Sequence, residues 1–422
     1  MSAPSMWRRT RVDRVATVNA RIGWKALTAS EYQPEGYAFL ATPNIKLEVI
    51  DFENVNYISR YRYDESPELK LQVNDVLLAK DGNTLGITNI IRQLPKPATV
   101  NGSIAVLRAF DIEPRFLRYC LASSSTQDLI NAIKDGMGVP HLFQWDIKRL
   151  PITIPPLDEQ RRIADFLDVE TAQIDELVSL RNKQVNALSE ALLSEATRCT
   201  GRHRLSLEEQ QMEWRRVQLR RVVDAVRTGM TPSEFLQVNA NYDHIPWYTP
   251  AALDNALNLG KADKGVHVAD VRHVPRFPAG SILIVGIGES LGKVAALDHE
   301  ATGNQQLTAI TTSNAVDRRF LLWQLFAAHE ELRNWAQYSR VRILNNDVLK
   351  SFTISIPAVA QQLVLRKELD CRLAEFRAFR VAAERFSRLA SERRGSLITA
   401  AVTGQIDVTS ARRLSSSGGA TS

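Results

Sequence analysis

Two rhythms of apolar and polar residues run through this chain. Short β-branched runs bounded by Gly, Pro and Asn, such as "VLLAK" (76–80), "SIAVLRAF" (103–110) and "SILIVG" (281–286), predict strands joined by turns. Each strand-rich region leads into a short segment of helical character, 115–133 and 319–336. Two much longer segments follow the helical period. The first, from Asp158 to Arg198, contains no Gly or Pro and places Ile163, Leu167, Ile174, Leu177, Leu188 and Leu192 on one stripe. Asp158 is its expected N-cap and Gly201 its expected stop. The second, from about Ala358 to Val402, is interrupted only by Gly395 and ends before Gly404. Its stripe is Leu365, Leu369, Leu373, Phe376, Phe379, Phe386 and Leu397. A helix of roughly 40 residues is about 60 Å long, too long to lie on one small domain. The expected solution is that the two helices pair through their apolar stripes as an antiparallel coiled coil.

The recurrence of pattern extends to residue identity. "WRRTRVDRV" at Trp7 matches "WRRVQLRRV" at Trp214, and Thr42-Pro43 matches Thr249-Pro250. Asp75-Val76-Leu77-Leu78 matches Ser281-Ile282-Leu283-Ile284, and Leu85-Gly86 matches Leu291-Gly292. Asn101 matches Asn304, Arg115-Phe116-Leu117 matches Arg319-Phe320-Leu321, and "ITIPPLDEQ" at Ile152 matches "ISIPAVAQQ" at Ile354. Thr200-Gly201 matches Thr403-Gly404. The order is kept and the offset drifts only between 202 and 207. Chance explains one such pair but not the series, so the chain is a direct duplication of a unit of about 200 residues. The fold class expected is α+β, with two similar mixed α/β domains separated by two long helices and related by an internal pseudo-twofold repeat.

Composition narrows the picture little. At 422 residues with 24 % charged and 44 % hydrophobic positions, the chain can build two or three cores. Cys120, Cys199 and Cys371 are scattered with no CxxC, which predicts a reducing, cytoplasmic setting without structural zinc. No apolar signal segment follows Trp7, Arg8 and Arg9, and no run approaches a membrane span. A net charge of +6 is compatible with a polyanionic partner without demanding one.

The catalytic motifs are near-misses. The loop around Gly286, Gly288, Gly292 and Lys293 lacks the first glycine and the hydroxyl of a P-loop, since Ile287 and Val294 stand there. Leu291 breaks the dinucleotide fingerprint as well. The backbone reading of this loop is a strand–turn–strand. Asp51 with Glu68-Leu69-Lys70 has the outline of a magnesium-dependent nuclease site but has no echo in the second copy. "HEELR" at His329 has Arg333 where a zinc motif needs its second histidine. Neither an Asn-Pro-Pro-aromatic motif nor a glycine turn for S-adenosylmethionine is present.

The duplicated mixed domain, "ITIPPLDEQRRIADFLD" opening a long helix, "GNQQLTAI" at Gly303 and "TGQIDV" at Thr403 together resemble the specificity subunit of type I DNA restriction–modification enzymes. The resemblance covers residues 7 to about 408; Ala358 and Gln361, standing where the first copy has Pro156 and Glu159, depart from the motif. It implies target-recognition domains at 1–156 and 201–357 and long helices at 157–200 and 358–408, while the Ser/Gly-rich composition of 409–422 predicts a disordered tail. It also implies a non-catalytic subunit that reads a bipartite target in double-stranded DNA. Two methyltransferase subunits and restriction or motor subunits would be its partners. S-adenosylmethionine, ATP and magnesium would belong to those partners, with no cofactor or metal in this chain. Residue types suited to base edges and phosphates single out Lys80, Asn83, His141, Lys293, Gln305, Gln306, Arg340 and Arg342, with Gly136, Met137 and Gly138 in the same loop as His141. Asn304 and the two glutamines after it could equally cap backbone groups. The helix interface is expected from Ile163, Leu167, Ile174, Leu177, Leu188, Leu369, Leu373, Phe376, Phe379 and Phe386. Three other readings stay open: a type IIB-like specificity subunit, a nucleotide-dependent enzyme or nuclease built on the glycine loop or Glu68 and Lys70, and a duplicated coiled-coil scaffold.

Overall fold

A computed structural model of the chain describes residues 7–21, 27–46, 48–133, 140–202, 214–232, 236–237, 244–262, 264–267, 274–338 and 342–408. In chain order the first copy contains β1 (Arg8–Arg11), β2 (Ala16–Ala20), β3 (Tyr37–Leu40), β4 (Asn56–Ile58), α1 (Arg60–Asp64), β5 (Val76–Ala79), β6 (Thr88–Ile90), β7 (Ala98–Val100), β8 (Ile104–Ala109), α2 (Pro114–Ala122), α3 (Ser124–Ile133), α4 (Gln144–Arg149), β9 (Pro151–Ile154) and the long α5 (Leu157–Cys199). The second contains β10 (Arg215–Gln218), β11 (Val223–Thr228), β12 (Leu236–Gln237), β13 (His244–Tyr248), β14 (Lys264–His267), β15 (Ile282–Val285), β16 (Val294–Ala296), β17 (Thr302–Gly303), β18 (Leu307–Thr312), α6 (Arg318–Ala327), α7 (His329–Trp335), β19 (Gln337–Tyr338), β20 (Arg342–Ile343), α8 (Asn346–Ser351), β21 (Thr353–Ile356) and the long α9 (Val359–Val402).

The duplication holds at the level of strand register. Antiparallel β1–β9 pairs Arg8 with Ile154, and its copy β10–β21 pairs Arg215 with Ile356. The sheet β2-β8-β5-β6 recurs as β11-β18-β15-β16. The smaller sheet β4-β3-β7, with its parallel β3–β7 pair, recurs as β14-β13-β17 with β12 added at the edge. β5 and β15 are buried along their whole length, as strands covered on both faces should be.

The chain forms two compact units. Unit 1 joins the chain up to Ser179 with the chain from Phe386 onward, and unit 2 is Leu180–Arg385. Each therefore holds one end of each long helix. In unit 1, Ile163, Ala164 and Leu167 of α5 share a core with Ile398, Ala401 and Val402 of α9. In unit 2, Leu192, Ala196 and Cys199 of α5 share a core with Leu369, Leu373 and Phe376 of α9. The pairing is antiparallel within each unit: Arg394 meets Asp175 at 3.3 Å in unit 1, and Arg198 meets Glu368 at 3.1 Å while Arg181 lies 5.4 Å over the Phe379 ring in unit 2.

Several local expectations are corrected. Asp158 lies in the first turn of α5 rather than capping it, because the helix already begins at Leu157. The helical segments 115–133 and 319–336 are each broken into two helices, at Ser123 and at Ala328. α9 runs unbroken through Gly395. Along the stripes Ile174, Phe379 and Phe386 are half-buried, but Leu177 is 54 % and Leu188 40 % exposed, so the seam is narrower than the apolar spacing suggests. Gly201 (φ +71°) and Gly404 (φ +73°) take the left-handed conformation that ends a helix. The tail 409–422 lies outside the described residues.

Candidate nucleic-acid interface

Each unit is fastened to its long helix by one buried glutamine. Gln160 accepts the Glu113 amide N–H at 2.8 Å and donates to the Pro155 carbonyl at 2.8 Å. Gln362 accepts the Asp317 amide N–H and donates to the Pro357 carbonyl at the same 2.8 Å distances. The amide of glutamine suits this task because it offers a donor and an acceptor on one planar group. In each copy a carboxylate follows about two turns later. Asp168 accepts from Arg92 at 2.7 Å, Arg115 at 3.0 Å and the Tyr119 hydroxyl at 2.7 Å. Asp370 accepts from Arg319 at 2.9 Å and the Trp323 indole at 3.0 Å. Burial alone would raise the pKa of Asp168, but the hydrogen bonds and charge of Arg92, with Tyr119 and Arg115, hold it below the usual carboxylate range. Burial and that same carboxylate push the Tyr119 phenol up to about 12.

At one end of each large sheet, the same backbone pattern gathers three chain segments. In unit 1 the Lys80 amide donates to Ser103 O at 2.8 Å and its carbonyl accepts Leu142 N–H at 2.9 Å. In unit 2 the Gly286 amide donates to Gln306 O at 2.7 Å and its carbonyl accepts Leu344 N–H at 2.8 Å. The turns behind these bonds are alike: Asn101 Oδ1 accepts from Ser103 N–H, and Asn304 Oδ1 from Gln306 N–H, both at 3.1 Å.

This end brings together many of the residues singled out from sequence. Lys80, Asp81 and His141 meet in unit 1, with the Asp81 carboxylate 3.5 Å from the Lys80 amine and paired to His141 Nδ1. Lys80 itself is only 7 % exposed, so its charge is turned inward. Asn83 is exposed on the 3-10 turn Gly82–Thr84. In unit 2, Gln305 is exposed, Gln306 is half-buried, and the Arg342 carbonyl accepts from Gly288 N–H at 3.3 Å. Lys293 stands on the other limb of the loop. Burial is the larger cause of the lowered His329 pKa, and the Arg333 and Lys293 charges add to it. Arg340, Gly136, Met137 and Gly138 lie outside the described residues.

Sequence reasoning missed an aromatic row beside His141. The Phe143 ring meets His141 edge-on at 4.5 Å, Trp145 stacks 6.4 Å from Phe143, and Arg149 lies 5.1 Å over Trp145. Phe143 and Trp145 are both exposed, and the signal was their one-residue spacing in "HLFQW".

The glycine-loop amides, Asp51 and Lys70 are engaged within the fold. In the glycine loop the amides of Gly286, Gly288, Leu291, Gly292 and Lys293 all donate to carbonyls within the chain. A phosphate cradle needs such amides free. Strands β15 and β16 pair antiparallel across it, the strand–turn–strand expected. Asp51 accepts from Glu53 N–H, Asn54 N–H and Asn54 Nδ2 in its own turn, and Lys70 donates to Asp64 at 2.5 Å. Among the described residues, Glu195, Cys199 and Glu368 are the group that could hold a metal ion. Arg198 already donates into it, to Glu195 at 2.5 Å and Glu368 at 3.1 Å. Its hydrogen bonds bring Glu195 down to about 2, while burial pushes the Cys199 thiol up to about 11. No described helix is long and apolar enough to cross a membrane.

Two copies of a sheet-and-clamp domain, each fastened to long antiparallel helices, define the class of fold. The chain belongs to the family described as type I restriction modification DNA specificity domain, which matches it over residues 7–187 and 211–368. It is 26 % identical over 171 residues to a Methanocaldococcus jannaschii protein provisionally named the type I restriction enzyme MjaX specificity subunit, a match covering 39 % of each chain. It is 22 % identical over 193 residues to the type I restriction enzyme MjaVIII specificity subunit of the same organism, covering 44 % of each. These matches span less than half the length of either relative. In fold it resembles a chain from a structural study of complex assembly and conformational transition of the type I restriction–modification system, with TM-score 0.69 and 16 % identity, covering 96 % of this chain and all of that one.

Proposed function

We propose that this chain is the DNA-recognition subunit of a type I restriction–modification assembly and reads a bipartite duplex target, one half per unit. It performs no methyl transfer or cleavage itself. It directs methyltransferase subunits, two per complex, and restriction or motor subunits to the site, and those partners carry S-adenosylmethionine, ATP and magnesium. The observation that carries this reading is the family match over both copies, each copy presenting its own three-segment sheet end. The side chains offered there are donors, amides and aromatics, the chemistry that meets base edges and phosphates. Lys80 and His141, paired through Asp81, set the shape of the first end, while Asn83, Lys293, Gln305, Arg340 and Arg342 supply contacts. The exposed Phe143–Trp145 row adds apolar contact beside the first half-site.

The test is a domain exchange. The chain is co-expressed with its methyltransferase subunit, and the modified sequence is read by methylome sequencing. Replacing 7–156 with the corresponding segment of a relative changes one half-site only, and replacing 215–357 changes only the other. Hybrids whose two halves change together would overturn the reading, as would methylation by the isolated chain.

A further inference from the structure

We propose that Gln305 is a base-reading side chain of unit 2 that acts as a hydrogen-bond donor, to a guanine or thymine edge, whereas Gln306 beside it only builds the turn. This deepens the reading of the chain as a DNA-recognition subunit and rests on it. The two glutamines are neighbours of identical chemistry, and the structure treats them differently.

Gln306 is used up inside the protein. Its Oε1 accepts from Asn304 Nδ2 at 2.9 Å and its Nε2 donates to Ile287 O at 3.5 Å. Its own amide and carbonyl are held by Asn304 Oδ1 at 3.1 Å and Gly286 N–H at 2.7 Å. Gln305 is exposed, and its bond is of one kind: Oε1 accepts the Thr231 hydroxyl at 2.7 Å. Thr231 is itself placed by the turn. Met230 N–H donates to Gly303 O at 2.8 Å, and a Cβ on Gly229 would lie 2.2 Å from that same carbonyl oxygen. With Thr231 on Oε1, the NH2 group of this exposed side chain makes no hydrogen bond among the described residues. A glutamine that reads adenine uses both ends, accepting from N6 and donating to N7. Thr231 already takes one of the two lone pairs of Oε1, so the capacity left on the side chain is weighted toward donation, which favours an edge that presents acceptors, guanine N7 and O6 or thymine O4.

Unit 1 supplies the control. Its turn is built the same way on Asn101, but the residue in the place of Gln305 is Gly102. A Cβ added there meets nothing within 4 Å, and its φ is not in the left-handed region, so a side chain fits without strain. Unit 1 has the platform and lacks the reader.

The test uses the full chain assembled with its methyltransferase subunit and duplex oligonucleotides randomised across one half-site at a time. Gln305→Ala should make one position of one half-site degenerate, losing about tenfold preference, the order expected for one base contact. Gln305→Glu, which can only accept, should move that position toward cytosine. Thr231→Val should admit adenine there. Gly102→Gln should add a constraint to the other half-site. Gln306→Ala should weaken binding and leave the selected sequence unchanged. Gln305 is exposed, so its variants should melt with the wild-type chain, which separates reading from folding. Selection of an unchanged sequence by both Gln305 variants would overturn the assignment, as would a base change on Gln306→Ala with Gln305→Ala silent. If the wild-type assembly selects no sequence at all, the broader DNA-recognition reading fails instead.

Discussion

Units 1 and 2 are nearly the same in what their backbones do and quite different in what their side chains offer. Lys80 and Gly286 make equivalent hydrogen bonds to two neighbouring segments, yet one carries a buried amine and the other no side chain. The helix that follows shows how this is possible. In unit 1, Phe143 precedes α4, and Asp146 reaches back to accept the Phe143 amide at 3.0 Å, which frees the aromatic ring to face solvent. In unit 2, Asn345 precedes α8 and accepts Val348 N–H at 2.9 Å with its own side chain. The orphan amides of a helix start must be satisfied, but it does not matter from which side. The frame therefore rests on amides and two glutamines, and the exposed end varies without disturbing it.

The strongest way to break this comparison is to remove the clamp. Gln160→Ala takes the partner from the part-buried Glu113 amide and the buried Pro155 carbonyl, and Gln362→Ala does the same to Asp317 and Pro357. Each substitution should cost about 2–4 kcal/mol. Hydrogen exchange should show the loss concentrated in the unit that holds the altered residue. Equal loosening of both units by either variant would mean that the glutamines are not local clamps.

The next test asks whether the two carboxylates are equivalent. Asp168 serves three donors where Asp370 serves two, so Asp168→Asn should destabilise unit 1 by about 2 kcal/mol and Asp370→Asn unit 2 by less. The pH dependence has a definite sign. The Asp168 pKa is depressed in the folded chain, so its contribution is complete above the unfolded value of about 3.9 and is lost as pH falls through the folded value. Denaturant titrations between pH 6 and 3 should show unit 1 losing stability below about pH 4, and Asp168→Asn should remove that part of the slope. An unchanged slope in the variant would place the acid sensitivity elsewhere.

How far the sequence exposed all this depends on the range of the interaction. The duplication, the strands at 76–80 and 281–286 and the helix stops at Gly201 and Gly404 are local signals, and the residues spell them out. Gln160 and Gln362 were visible as repeated letters, but their partners lie across the fold, so their role was not. Leu177 has the right spacing for a buried seam and is exposed, because spacing names a face without saying how much of it a partner covers. Lys80 was chosen for its charge and is turned inward by Asp81, a neighbour whose orientation no pattern gives. Gln305 and Gln306 read alike until Thr231 and Asn304 are placed beside them.

A smaller effect separates the two helix starts. Asn345→Ala removes the cap of α8 and should cost about 1 kcal/mol. Phe143→Ala should leave stability within about 0.5 kcal/mol, because the exposed ring is not the cap, whereas Asp146→Ala should cost about as much as Asn345→Ala. Thermal melts of the three variants would rank them, and a large loss from Phe143→Ala would assign that ring to the core.

The smallest effect expected is a gain, and it separates the two long helices. α5 contains no glycine, whereas α9 carries Gly395 in its interior with ordinary helical backbone. Glycine there leaves the unfolded chain more freedom than alanine does and contributes no side-chain contact. A Cβ at this position would meet only Ser124 Oγ, at 3.9 Å, an ordinary contact. The Gly395 carbonyl accepts from the Thr399 hydroxyl at 2.9 Å, a bond that the substitution leaves in place. Thr399 in turn accepts the Ser124 amide at 2.9 Å, so this turn of α9 is fixed to the start of α3 within unit 1. Gly395→Ala should therefore stabilise unit 1 by about 0.5–1 kcal/mol and leave the recognised DNA sequence as it is. A denaturant midpoint that falls instead of rising would show that α9 needs the freedom of glycine at this turn, and that the helices differ there for a reason other than propensity.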